Sequence, residues 1–183
     1  MPIPKKILRT GKAFKVLAKG KALKFLTDNK IKYEIISHRT VYTACDKAAT
    51  LKMKPNMIGK TLVLKMDKEL AVVLIPGNKN LDKNKFKKIA NWWQKQREQK
   101  SVKNIDFVSE KLMKNKFKGV KIGAIPPFGI LWKLPTFVDK GFMKNPKIII
   151  NTGDYNFSIK ITAGILKKLI PDLISGNFSK AKV

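Results

Sequence analysis

The chain has 183 residues, 44% of them hydrophobic, and 40 Lys+Arg against 12 Asp+Glu give a formal net charge of +28. That length suits one domain with a real core, and the apolar content excludes a wholly disordered chain despite the charge. Such an excess favours a polyanionic partner, nucleic acid first, although it is nearly all lysine (only Arg9, Arg39 and Arg97 are arginines) and AT-rich coding also enriches lysine.

Residues 1–20 carry cations from Lys5 to Lys19 and no acid, and read as a basic, partly helical extension. They lack the continuous apolar stretch of a signal peptide. Residues 21–30 are expected to form a short amphipathic helix with Leu23 and Leu26 inward and Asn29 at its stop. Tyr33, Ile35 and Ile36 lead a strand to His38. Thr43 caps a helix whose apolar stripe is Ala44, Ala48, Ala49 and Leu51, with Cys45 buried in it, and Pro55 closes it.

Gly59–Met66 and the apolar run Leu70–Ile75 are read as a hairpin in mid-sheet, turning at Asp67-Lys68-Glu69. Asp82 caps the longest helix, to about Arg97, with Phe86, Ile89, Ala90 and Trp93 at helical spacing. Trp92 cannot share that core face. A strand at Val102–Val108 and a helix opened by Ser109-Glu110 follow. Short strands are expected at Ile130–Leu134, Thr136–Asp139, Lys147–Asn151 and Ser158–Ile161, and Thr162 caps a last helix to about Ile170. From Pro171 onward the signals are weak, so 171–183 reads as a tail. Hairpins interspersed with helices point to a single α+β domain with a mixed sheet.

One stretch stands apart: Gly123-Ala124-Ile125-Pro126-Pro127-Phe128-Gly129. Two prolines fix their own φ, push the preceding residues to extended backbone and remove N–H donors. This is a rigid loop. It is either a stiffened connection or a cradle whose Gly123, Ala124 and Ile125 N–H groups face a ligand.

Other chemistry is sparse. Gly59-Lys60-Thr61 is not a P-loop: Lys54 stands where the first glycine belongs, and the pair enters a strand. Lys60 can instead act as a fixed cation. Cys45 and His38, each the only one of its type, provide neither a disulfide nor a zinc ligand set, and a reducing, cytoplasmic interior follows. No apolar run approaches the roughly 20 residues of a membrane helix. Asp139 and Asp154 are the best carboxylates of the second half, with turn-capping the simpler role for Asp139.

The order of these landmarks resembles the YbaK/ProX-like aminoacyl-tRNA deacylases, relatives of the editing domain of bacterial prolyl-tRNA synthetases. The carriers are His38, Ala48-Ala49, Lys60-Thr61-Leu62, Leu81-Asp82, Gly123 through Gly129, Leu134 through Asp139, Asn151-Thr152-Gly153 and Ser158-Ile159, over residues 21–170. The resemblance implies a mixed, barrel-like sheet flanked by helices, with a pocket over its open face. It implies hydrolysis, without metal or other cofactor, of the ester joining a wrong amino acid to the 3′-terminal adenosine of tRNA. In it Lys60 positions the nucleotide or ester, and the backbone between Gly123 and Pro127 holds the carbonyl and the attacking water, a ribose hydroxyl assisting. His38, Ala124, Ile125, Pro126, Phe128, Gly129, Asp139, Asn151, Gly153 and Ser158 are expected around the substrate. Partners are mischarged tRNA and an aminoacyl-tRNA synthetase. Many relatives carry histidine where Tyr155 stands here. The alternative is a non-catalytic RNA- or ribosome-binding module of the same fold.

Overall fold

A computed structural model describes residues 20–182, so the basic extension expected at 1–20 lies, except for Gly20, outside the described residues. Helix α1 (Lys21–Asp28) buries Ala22, Leu23 and Leu26 and stops at Asn29. Strand β1 (Glu34–Ser37) follows, then α2 (Ala44–Leu51), whose cap Thr43 accepts the Asp46 N–H. The hairpin is β2 (Gly59–Met66) and β3 (Glu69–Pro76), in register from Gly59 opposite Pro76 to Met66 opposite Glu69. Then come β4 (Lys79–Leu81), the long helix α3 (Lys83–Gln96) capped by Asp82, β5 (Ile105–Phe107) and α4 (Glu110–Lys116) capped by Ser109. The remaining elements are β6 (Thr136–Asp139), α5 (Lys140–Met143), β7 (Lys147–Asn151), β8 (Phe157–Thr162), α6 (Ala163–Leu169), β9 (Ile174–Gly176) and β10 (Ser179–Ala181).

The fold is α+β with a mixed sheet. Five strands run β5-β2-β3-β6-β9, antiparallel on the hairpin side and parallel from β3 to β9. A second sheet is β1-β8-β7, and β10 pairs with β4. Among the described residues one isolated parallel bridge, Ile58 to Ile149, joins the two larger sheets, which share core side chains such as Leu74, Val138 and Ile150 and do not close into a barrel. One apolar cluster joins α1 and α6 to the three-stranded sheet, including Leu26, Ile150, Ile159 and Leu166. Another packs Phe86 and Ala90 of α3 on the five-stranded sheet through Leu64, Val73 and Phe137. Val72, Leu74 and Ile75, with no exposed surface, explain why β3 is apolar from Leu70 to Ile75.

Four local expectations change. Ile130–Leu134 is not a strand: Gly129–Trp132 coils into a 3₁₀ turn ending at left-handed Lys133, held by the Leu134 N–H on Gly129 O at 3.0 Å. The strand expected from Val102 starts only at Ile105. Asn91 Oδ1 takes the Val102 N–H at 2.6 Å, and the Asp67 carboxylate takes those of Lys103 and Asn104 at 2.8 Å, diverting the donors a ladder would use. Residues from Pro171 on include β9 and β10 and the fully buried Phe178, so this segment is part of the sheets and core. In α2, Ala49 and Cys45 are exposed, and Lys47 takes the buried position.

Candidate functional site

A cleft of about 340 Å³ opens where the start of β2 meets α2, the end of β7 and the turn before the proline pair. Gly59, Lys60, Thr61 and Leu62 line one wall, Tyr42, Thr43, Ala44 and Lys47 a second, and Gly123, Ala124, Asn151 and Tyr155 a third. Register fixes the first wall: Lys60 pairs with Ile75 in the central hairpin, so its backbone has no freedom to slip. Its ammonium reaches Lys79 O at 3.2 Å and Asn80 Oδ1 at 3.4 Å. An ammonium has three N–H bonds, so one remains for a ligand. Burial, and then the nearby Lys182 charge, lower the Lys60 pKa.

The least expected occupant is Lys47. Its side chain is buried and donates to Asn151 Oδ1 at 2.7 Å. Burial brings its pKa down to about 8. Asn151 Nδ2 in turn donates to Ile125 O at 3.4 Å, so one amide links α2 to the proline loop.

On the facing wall, the Ala124 N–H closes a four-residue turn on Lys121 O at 3.0 Å, with Gly123 at φ 83° in the third position. That backbone angle strains any residue with a Cβ, which is why glycine stands there. The Tyr155 hydroxyl donates to Ile122 O from the β7–β8 loop, and the Tyr155 ring meets Tyr42 edge-on at 4.9 Å between centroids. Lys121 pairs with Asp154 at 2.7 Å. Burial raises the Asp154 pKa, but the Lys121 bond and the Asn156 N–H outweigh it, so the net shift is downward. The three amides of the possible cradle fare differently here. Ala124 has spent its N–H inside the turn and Ile125 belongs to the core, which leaves Gly123, exposed at the cleft edge.

Lys47, Lys60 and Lys182 face this cleft, and the lining acid, Asp154, is already paired. Its field therefore favours an anion. Thr61 Oγ1 is a buried hydroxyl without a protein partner among the described residues, as expected of a group that meets a ligand or water.

Of the residues expected to act on or surround the substrate, Lys60, Gly123, Ala124 and Asn151 line this cleft. The others do not. His38 Nε2 sits 2.9 Å from Ser158 Oγ and Nδ1 2.8 Å from Arg39 O, and burial lowers its pKa, so a neutral ring ties β1 to β8. Ile125, Pro126, Pro127 and Phe128 are buried, with Phe128 against Phe25 at 5.2 Å. Gly129 N–H bonds Thr136 Oγ1 at 3.1 Å. Asp139 accepts the N–H groups of Gly141, Phe178 and Ser179, a structural clasp well satisfied. Gly153, at φ 104°, shapes the turn that receives the Lys121 N–H. Lys47, Tyr42 and Lys182 were missed, and Thr61 was named only as the neighbour of Lys60. A signal for Lys47 existed, because Ala44, Lys47, Ala48 and Leu51 fall at i, i+3, i+4 and i+7 on one helix face.

A family model described as aminoacyl-tRNA editing domain matches residues 38–169. The chain belongs to that family. The match starts at His38, spans the whole cleft except Lys182, and ends with α6. Solved structures share the fold of this editing domain. The hypothetical protein APE2540 superposes with a TM-score of 0.72 at 18% identity, covering 86% of this chain and 97% of its own. A candidate trans-editing enzyme for prolyl tRNA synthetase gives 0.69 at 16% identity, covering 94% and 99%. A candidate signal transduction protein from Marinobacter aquaeolei VT8 gives 0.61 at 14% identity, covering 90% of this chain and 30% of its own. None of the curated proteins matches in sequence. Among the described residues no helix is long and apolar enough to cross a membrane.

Proposed function

We propose that the chain is a freestanding, metal-independent hydrolase that deacylates mischarged aminoacyl-tRNA in trans. Water attacks the carbonyl carbon of the ester at the 3′-terminal adenosine and the acyl–oxygen bond breaks. The ribose oxygen leaves with one proton of the water, the other passes to solvent, and the amino acid departs as its carboxylate. The observation that carries this reading is the sharing of one cleft by Lys60, from mid-sheet, and Gly123, from the turn before the proline pair. In this reading the Gly123 N–H and the third Lys60 N–H meet the negative charge that develops on the carbonyl oxygen. Asn151, held by Lys47, keeps the loop at its distance. Tyr42, 70% exposed at the rim, offers a ring face to the terminal adenine.

The test is turnover of a panel of mischarged tRNAs, Ala-, Ser-, Cys- and Pro-charged among them, by the full chain and by Lys60→Ala. Release of one amino acid by the full chain, and its loss in the variant, is the expected result. Salt-dependent tRNA binding with no turnover of any substrate would select the non-catalytic RNA module instead.

A further inference from the structure

Helix α3 presents two unlike faces. Phe86 and Ala90 are buried in the core, and Trp93 packs on Phe137 at 5.4 Å with the Arg97 guanidinium 4.2 Å above its ring. The neighbouring Trp92 has none of this. It is 56% exposed, and no ring or cation is stacked on it among the described residues. Lys85, Lys88, Trp92 and Lys95 are all exposed and follow one another at i, i+3, i+7 and i+10, a single stripe about 15 Å long. Asn84 and Gln96 complete the face, and α3 contains no acid from Lys83 to Gln96. Three lysines and two amides around an exposed indole are all hydrogen-bond donors beside one flat apolar surface.

Such a face does nothing for the core and leaves apolar indole surface in water. Its chemistry matches RNA: ammonium groups spaced along a helix take phosphates, and an indole stacks on any unpaired base without reading its identity. An acidic protein would satisfy the lysines but gives no reason for a flat ring among them. We infer that this face of α3 is a second RNA-binding surface, separate from the cleft, which holds the tRNA body by phosphate contacts and one stacked base. The inference shares with the proposed function only its choice of RNA as partner.

Uncharged tRNA is therefore the probe, so absence of deacylation does not bear on the outcome. Trp92→Ala should weaken binding roughly tenfold, and Trp92→Phe, which keeps a ring, should restore most of it. The triple variant Lys85→Gln, Lys88→Gln, Lys95→Gln should flatten the slope of log affinity against log salt by about 2. A control triple at exposed Lys24, Lys167 and Lys168, on α1 and α6, removes the same charge and should move the slope less. Thermal midpoints, unchanged in all four proteins, show that each is folded. Binding by Trp92→Ala equal to wild type, or equal losses from the two triples, would overturn the inference.

Discussion

Lys47→Met replaces a buried ammonium with an apolar chain of similar length. In the folded protein burial lowers the Lys47 pKa from 10.5 to about 8. Between those values the unfolded chain holds more protons than the folded one, so stability rises with pH across that window. From the two pKa values, the wild type carries a penalty of about 3 kcal/mol at pH 7 that shrinks to about 1 kcal/mol at pH 10. The methionine variant has no such group. It instead leaves Asn151 Oδ1 without its 2.7 Å partner, which costs roughly 1–3 kcal/mol at any pH. The two effects nearly cancel at pH 7, but their pH dependence does not. Urea unfolding of both proteins at pH 7, 8, 9 and 10 should show the wild type gaining about 2 kcal/mol on the variant over that range, the other lysines cancelling in the difference. Parallel stability curves would refute the claim that folding buries a charged Lys47.

Other perturbations test neighbouring parts of the site. Lys60→Ala should lower kcat for deacylation by about 10²–10³ while leaving the urea midpoint nearly unchanged, because the side chain is only part-buried. An inactive variant that is also unfolded would say nothing for catalysis and would contradict the strand's packing. Gly129→Ala would put a Cβ 2.5 Å from Thr136 Oγ1 and 2.6 Å from Leu134 O. A loss of roughly 1–3 kcal/mol is expected by thermal melting, and a neutral result would mean the 3₁₀ turn opens at little cost. Tyr155→Phe removes the bond to Ile122 O, at about 1 kcal/mol, and should speed hydrogen exchange at the Ala124 amide inside the turn and at the Lys121 amide bonded to Gly153 O. Unchanged protection there would show that the tyrosine does not hold the loop.

Why some residues were legible from the sequence and others were not follows from what each signal measures. Thr43, Asp82, Ser109 and Thr162 cap the helices assigned to them, because a cap is a contact within four residues of chain. Lys60 was assigned its role by the family resemblance, since its place early in an apolar strand showed only that it could be a fixed cation. Lys47 was passed over because lysine on a short helix is ordinarily solvated, and its burial depends on Asn151, 104 positions away. Only the resemblance placed His38 and Asp139 around the substrate; in the fold His38 meets Ser158, and Asp139 clasps the Phe178–Ser179 backbone.

The sequence by itself determined the α+β class, the central hairpin, the helix starts and the stiff loop from Gly123 to Gly129, since hydrophobic period, capping and proline geometry all act locally. Only the tertiary structure decided which cations share a cleft, that Ala124 spends its amide inside a turn, and that the segment after Pro171 adds strands to the sheets. Those outcomes depend on contacts between distant segments, whose partners no local pattern names.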